Sequence, residues 1–126
     1  MIRKAAIISI SGISLSQKEI KILKKEKPWG VILFKRNIFS EKQLKNLTSS
    51  IKKIMSDKKY PILVDEEGGR VTRMSNFLDN SKFNQKYFGH IYEKNKTIGL
   101  TLYRNYIDSI SRHLLNLGIN INTSPV

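Results

Sequence analysis

Short apolar runs alternate along this chain with longer amphipathic ones, and that alternation limits what it can fold into more than any other feature. Ala5-Ala6-Ile7-Ile8-Ser9-Ile10, Gly30-Val31-Ile32-Leu33-Phe34 and Ile62-Leu63-Val64 are almost uninterrupted apolar segments, the pattern of strands buried on both faces of a parallel sheet. Ser16-Gln17-Lys18-Glu19 has the serine-to-glutamate spacing of a capping box, which predicts a helix from there to about Glu26, stopped by Pro28. Ser40-Glu41-Lys42-Gln43 repeats that signal. The helix it opens carries Leu44, Leu47, Ile51 and Ile54 on one face, at three-and-four spacing.

After the third strand a polar, glycine-containing loop is expected to extend to about Asn95. Leu100, Tyr103, Ile107, Ile110, Leu114 and Leu117 then form a helical stripe, and Gly118 stands where a left-handed residue would end the helix. Ile119-Asn120-Ile121-Asn122 begins a fourth strand that leaves through Thr123-Ser124-Pro125. The order β-α-β-α-β-loop-α-β argues for an α/β fold with a parallel sheet and right-handed crossovers. Alternation alone leaves both a doubly wound sheet and a (β/α)₈ barrel open, and a barrel needs about 250 residues. With 126 residues, four strands would be the first half of one.

Composition narrows the chemistry. The chain has no cysteine and two histidines, which gives neither a disulfide framework nor a zinc site, so no metal or cofactor is expected. No stretch approaches the roughly 20 apolar residues that span a bilayer, and the N-terminus runs into a strand rather than a signal core, so a cytoplasmic protein is expected. The net charge of +13 would suit nucleic acid or an acidic membrane surface. The basic residues are mostly lysines scattered through a chain rich in Ile and Asn, and no basic-aromatic module of the nucleic-acid readers is present. Solvated helix faces are the favoured account, and a basic nucleic-acid binder is kept as an alternative.

In α/β sheets ligands bind where strands hand over to loops at their C-terminal ends. Lys35-Arg36-Asn37, Asp65 through Arg73, and Asn122-Thr123-Ser124 occupy those positions. Asp65 follows directly on Val64, and a carboxylate on a rigid strand end can accept hydrogen bonds from two neighbouring sugar hydroxyls. Gly68 and Gly69 let the backbone turn sharply and let a ligand come close. Arg70 and Arg73 return donors toward the acidic cluster, one to pair with it and one to face a ligand. Spacing alone leaves a second reading open, a structural turn in which Glu66, Glu67, Arg70 and Arg73 only form ion pairs.

Three motifs, in order and spacing, resemble the bacterial β-N-acetylglucosaminidases of glycoside hydrolase family 3. They are Gly30 through Asn37, Val64 through Arg73, and Leu117 through Asn122 with Ser124-Pro125-Val126. Between Met74 and Asn95 the chain departs from that pattern, with Asn76-Phe77-Leu78-Asp79-Asn80 where a proline-containing segment is expected. The resemblance implies a (β/α)₈ barrel that removes terminal β-linked N-acetylglucosamine from cell-wall muropeptides during peptidoglycan recycling. It implies that Asp65 and Arg73 bind hydroxyls of that sugar; Glu67, Gly68, Gly69 and Arg70 are read from the residues as shaping the site. The family is retaining, and its aspartate nucleophile, its His-Asp acid/base loop and its Lys-His-Phe-Pro-Gly-His segment come from later strands. None is expected in these 126 residues. The chain is then expected to be inactive alone, completed by a C-terminal half-barrel chain, or retained as a sugar-binding remnant.

Asp65 and Glu67 are not assigned as acid and nucleophile. Retaining catalysis needs carboxyl groups about 5 to 5.5 Å apart on opposite sides of the bond, and residues two apart on one strand end approach from one side. His90 and His113 lack the neighbours of a triad and read as surface or packing residues, and Trp29 and Tyr103 as core.

Overall fold

A computed structural model describes residues 2–124, so Pro125 and Val126, which close the third motif, lie outside the described residues. Four strands, β1 (Lys4–Ser9), β2 (Pro28–Leu33), β3 (Ile62–Val64) and β4 (Ile121–Asn122), form one sheet in the order β1-β2-β3-β4. All three pairings are parallel, with Val31 opposite Ile62 and Leu63 opposite Ile121. Helices α1 (Gln17–Glu26) and α2 (Glu41–Ile54) make the first two crossovers, and α3 (Gln85–Lys94) with α4 (Lys96–Asn116) makes the third.

The first capping box forms as its spacing predicts. The Ser16 hydroxyl accepts from the Glu19 amide, the Glu19 carboxylate accepts from the Ser16 amide at 2.8 Å, and it also ties down the Ser11 amide at 2.8 Å. The helix ends at Glu26, and the cap residue Lys27, just before Pro28, takes a left-handed conformation with φ 48°. The second box does not close. Ser40 caps the Gln43 amide, but the Gln43 side chain takes the Phe39 amide instead and donates onward to the Ile13 and Asn37 carbonyls. Glutamine has both a donor and an acceptor, and here the donor pins the β1–α1 loop onto α2 while the acceptor holds the Phe39 amide just before the helix.

Leu44, Leu47 and Ile51 of α2 are buried as the stripe predicts, each contributing about 1.5–3 kcal/mol through burial. Val31 and Leu33 of β2, all of β3 and Leu114, Leu117 and Ile119 complete the core. Four expectations are corrected. β1, expected to be buried on both faces, is largely exposed, with Ile7 at 48%, because it has a sheet neighbour on one side only. Trp29, expected in the core, is 42% exposed near the start of β2, whereas Tyr103 is half-buried with its ring 5.1 Å from that of Phe88. The loop expected to reach Asn95 contains α3, capped by Asn84. The buried α4 stripe is shorter than predicted: Ile110 and Leu114 are buried, whereas Leu100 and Ile107, nearer the start of the helix, are exposed. Gly118 ends α4 with φ +82°, as expected, and a Cβ there would meet the Thr48 hydroxyl oxygen at 2.4 Å.

Candidate functional site

The C-terminal end of β3 gathers the charged groups the sequence singles out. β3 is wholly buried, so Asp65, the next residue, leaves from a fixed point. Its carboxylate accepts from Arg73 twice, from Nε at 2.8 Å and Nη2 at 2.5 Å. The pair is partly open, with side chains 20% and 25% exposed. The Arg73 hydrogen bonds hold the Asp65 carboxyl below the usual carboxylate range against the opposing effect of burial, and Asp65 in turn raises Arg73. Two-pronged contact of this kind fixes the orientation of both groups as well as their charge. The Arg73 guanidinium also lies 5.9 Å from the Phe34 ring, whose face Arg36 approaches at 4.8 Å.

Glu66, which carries no role in the sequence reading beyond a possible ion pair, organises the loop. It is 2% exposed, and its carboxylate accepts from the backbone amides of Arg73 at 2.7 Å and Met74 at 3.3 Å. Asn80 approaches its other oxygen at 3.5 Å. The Glu66 backbone is clasped by Asn122 of β4, which accepts from its amide and donates to its carbonyl, both at 3.0 Å. Successive residues of an extended strand point to opposite faces. That alternation, which sends Asp65 to the open side and Glu66 inward, is the signal in the sequence that could have marked Glu66.

The turn itself departs from expectation in two ways. Gly68 and Gly69 have φ +76° and +65°, as a sharp turn requires, but what approaches them is the chain's own loop. A Cβ on Gly68 would lie 2.3 Å from the Phe83 carbonyl oxygen and one on Gly69 3.0 Å from Asn84 Cβ, so these glycines admit that loop rather than a ligand. Glu67 shapes the turn through its backbone, its amide donating to Val71 at 2.9 Å, while its half-buried side chain lines a small cavity with Phe88, Tyr106 and Ser124. The Arg70 side chain is exposed, and among the described residues neither it nor the Glu67 side chain makes a hydrogen bond or ion pair. Among the described residues Glu66, Glu67, Arg70 and Arg73 form no ion pairs with one another, and Arg73 pairs with Asp65 instead.

The other two strand ends are structural in their own way. Asn37 is fully buried, donating to the Ile10 and Gly12 carbonyls at 3.0 and 2.8 Å and accepting from the Phe34 amide, which sews β1 to β2. Asn122 and Thr123 sew β4 to β3. His90 lies at the surface 3.5 Å from Glu93, and His113 packs near Phe77 with Glu41 at 3.7 Å. Among the described residues no group of three or more His, Cys, Asp or Glu side chains could hold a metal ion. Among the described residues no helix is long and apolar enough to cross a membrane.

The chain is similar in sequence and fold to known proteins. No protein-family model matches the chain. A β-hexosaminidase of Actinobacillus pleuropneumoniae is 32% identical over 120 residues, spanning 95% of this chain and 34% of the relative. That of Haemophilus ducreyi is 45% identical over 69 residues, 53% of this chain. The crystal structure of NagZ from Neisseria gonorrhoeae in complex with N-trifluoroacetyl-D-glucosamine superimposes with a TM-score of 0.87 at 28% identity, over 98% of this chain and 36% of that one. The chain is homologous to the N-terminal part of the family 3 β-hexosaminidases. It spans about a third of the length of the curated β-hexosaminidases it matches. A fungal multi-domain family 3 β-N-acetylglucosaminidase shares the fold with a TM-score of 0.71 and 28% identity over 94% of this chain. The family to which these β-hexosaminidases belong is one of glycoside hydrolases.

Proposed function

We propose that these residues form the first four βα units of a (β/α)₈ barrel and the sugar-holding side of a retaining β-N-acetylglucosaminidase. Residues 1–126 are on this reading the N-terminal portion of one barrel domain. The strand order supports a barrel over a doubly wound sheet, because it runs from β1 to β4 without the reversal that creates a switch point. The observation that carries the functional reading is the two-pronged, partly open Asp65–Arg73 pair on a rigid strand end. An ionised carboxylate accepts from two adjacent hydroxyls while the guanidinium beside it donates to a third oxygen, a pattern that fits the non-reducing N-acetylglucosamine of a cell-wall muropeptide. The setting is peptidoglycan recycling in the cytoplasm.

Asp65, Glu66 and Glu67 do not carry the chemistry. Asp65 is held by Arg73, Glu66 is buried against backbone amides, and all three leave the same strand end, not the two sides of a glycosidic bond. Nucleophile and acid/base belong on this reading to later strands, carried by the same polypeptide or a second one. Those strands would also cover the outer edges of β1 and β4, which have no sheet partner among the described residues.

Two measurements test this. Backbone amide spectra of the 126-residue chain titrated with N-acetylglucosamine should shift at Asp65, Glu66 and Arg73 and stay still in Asp65→Ala. A chromogenic β-N-acetylglucosaminide should not be turned over. Spectra indifferent to the sugar would refute the binding role, and turnover by this chain alone would refute the division of labour.

A further inference from the structure

The charge of this chain is unevenly distributed. Residues 1–60 contain fifteen Lys and Arg against four Asp and Glu, whereas residues 61–126 contain eight against six, net charges of +11 and +2. The four acids of the basic half are already engaged. Glu19 is hydrogen-bonded by Ser11 and Ser16, Glu26 pairs with Lys4, Asp57 pairs with Arg3, and Glu41 faces His113 at 3.7 Å. Among the described residues Lys24, Lys42, Lys45 and Lys53 have no ion-pair partner and are exposed on α1 and α2.

Lys53 lines an apolar groove, and the other three lie on the helices that contribute to it. A trough of about 550 Å³ lies between α2 and the β1–α1 loop with Ile20 of α1, floored by Leu15, Ile20, Leu47 and Ile54. Ile13, 48% exposed, forms its upper lip, and Lys53 stands in its wall. The lip is fixed in place, because Gln43 Nε2 donates to the Ile13 carbonyl at 2.6 Å. The groove therefore exists before anything binds, which limits the ordering cost of association. Its length follows α2, whose 14 residues span about 21 Å at about 1.5 Å per residue.

We propose that this groove docks an acidic amphipathic helix of another polypeptide, its apolar stripe on the Leu15–Ile20–Leu47–Ile54 floor and its Glu or Asp flanks against the lysines. Helix-in-groove recognition needs an apolar trough that accepts residues at i, i+3 or i+4, and i+7, and this trough meets that need. Charge complementarity selects the occupant. A second copy of this chain at +13 would be repelled, while an acidic partner is steered in and held in register. Nucleic acid would use the lysines but leave the apolar floor unfilled, so the floor favours a peptide. No lining residue belongs to the Asp65–Arg73 segment, so the inference stands apart from the sugar site.

Fluorescence anisotropy of the 126-residue chain tests it with three labelled probes: a short amphipathic helical peptide with a leucine stripe and glutamate flanks, its twin with lysine flanks, and oligothymidylate. The glutamate peptide should bind at least about tenfold more tightly than its twin. Lys53→Glu and Ile13→Glu, both at exposed positions, should each weaken it by about fivefold or more with the circular dichroism unchanged, and Arg104→Glu on α4 should change it less than about twofold. Equal binding of the two peptides, no binding of the glutamate peptide, or binding insensitive to Ile13→Glu and competed away by oligothymidylate would each overturn the proposal. The last result would assign the lysines to a general polyanion surface instead.

Discussion

β1 and β3 carry nearly the same apolar pattern, yet β3 is wholly buried and β1 is mostly exposed. The loops that follow them differ in the same sense. Each is tied by a glutamate that accepts backbone amides, Glu19 from Ser11 and Ser16 near the surface and Glu66 from Arg73 and Met74 in the interior. An apolar run specifies that a strand forms; the number of neighbours decides how much the strand contributes. β3 lies between β2 and β4, while β1 has β2 alone.

One residue type at two places gives the strongest contrast. Ile62→Ala in β3 should cost about 2–5 kcal/mol, because the lost side chain is fully buried and leaves a cavity. Ile7→Ala in β1 should cost less than about 1 kcal/mol. Urea midpoints of the two variants measure this directly. If a covering partner does pack on β1, the Ile7→Ala cost should rise toward that of Ile62→Ala when the partner is present, and an unchanged cost would mean that β1 stays an open edge.

The glycines separate the same two regions. Gly68→Ala forces a side chain onto φ +76° and into the Phe83 carbonyl, for about 1–3 kcal/mol. Gly12→Ala in the β1–α1 loop meets nothing within 4 Å and has no left-handed φ, so it should be neutral or stabilising by about 0.4–1 kcal/mol. Thermal midpoints moving in the same direction and by equal amounts would contradict that assignment of roles.

How far the sequence could be read follows from the same contrast. Local signals were faithful wherever the chain decides the matter within a few residues: the Ser16–Glu19 box, the Leu44–Leu47–Ile51 face, the left-handed Gly118 and the apolar β3. They failed where distant residues compete. Gln43 left its box for the Phe39 amide and the Ile13 and Asn37 carbonyls, and Leu100 and Ile107 stay exposed although they share a helical face with the buried Ile110 and Leu114. α3 was hidden because its cap is an asparagine without a partner glutamate and only Phe88 of its ten residues is buried. In the loop after β3, Asp65 and Arg73 stand out in the sequence as the ends of a motif, whereas Glu66 does not, because its amide partners, Arg73 and Met74, come close only once the turn at Gly68-Gly69 has folded.

The helix caps make a smaller and sharper test of that locality. Ser16→Ala removes a reciprocal cap and the anchor of Glu19, and should cost about 1–2 kcal/mol. Ser40→Ala removes a one-way cap beside Gln43, which still holds the Phe39 amide, and should cost about 0.5–1 kcal/mol. Equal costs would mean that the reciprocal bond at Ser16 adds nothing.

The smallest effects are those of acid, and they separate the two loops by their carboxylates. Burial alone would raise Glu19, but the hydrogen bonds from Ser16 and Ser11 outweigh it and bring its pKa from 4.5 down to about 2. Since the folded value lies below the unfolded one, the stabilisation from Glu19 is complete above about pH 4.5 and is lost as the pH falls toward about 2. Asp65 is lowered chiefly by the Arg73 hydrogen bonds, so its contribution also holds above the usual carboxylate range and fades as acid reaches its folded value. Amide shifts of Ser11 and Ser16 should therefore report Glu19, and those around Arg73 should report Asp65, with Glu19→Gln silencing the first set and Asp65→Asn the second. Added salt discriminates further. The Asp65–Arg73 step should weaken with ionic strength because it is an ion pair, while the Glu19 step, built on neutral amide and hydroxyl donors, should barely move. A Glu19 transition as salt-sensitive as that of Asp65 would mean that the nearby lysines, rather than the cap, set its acidity.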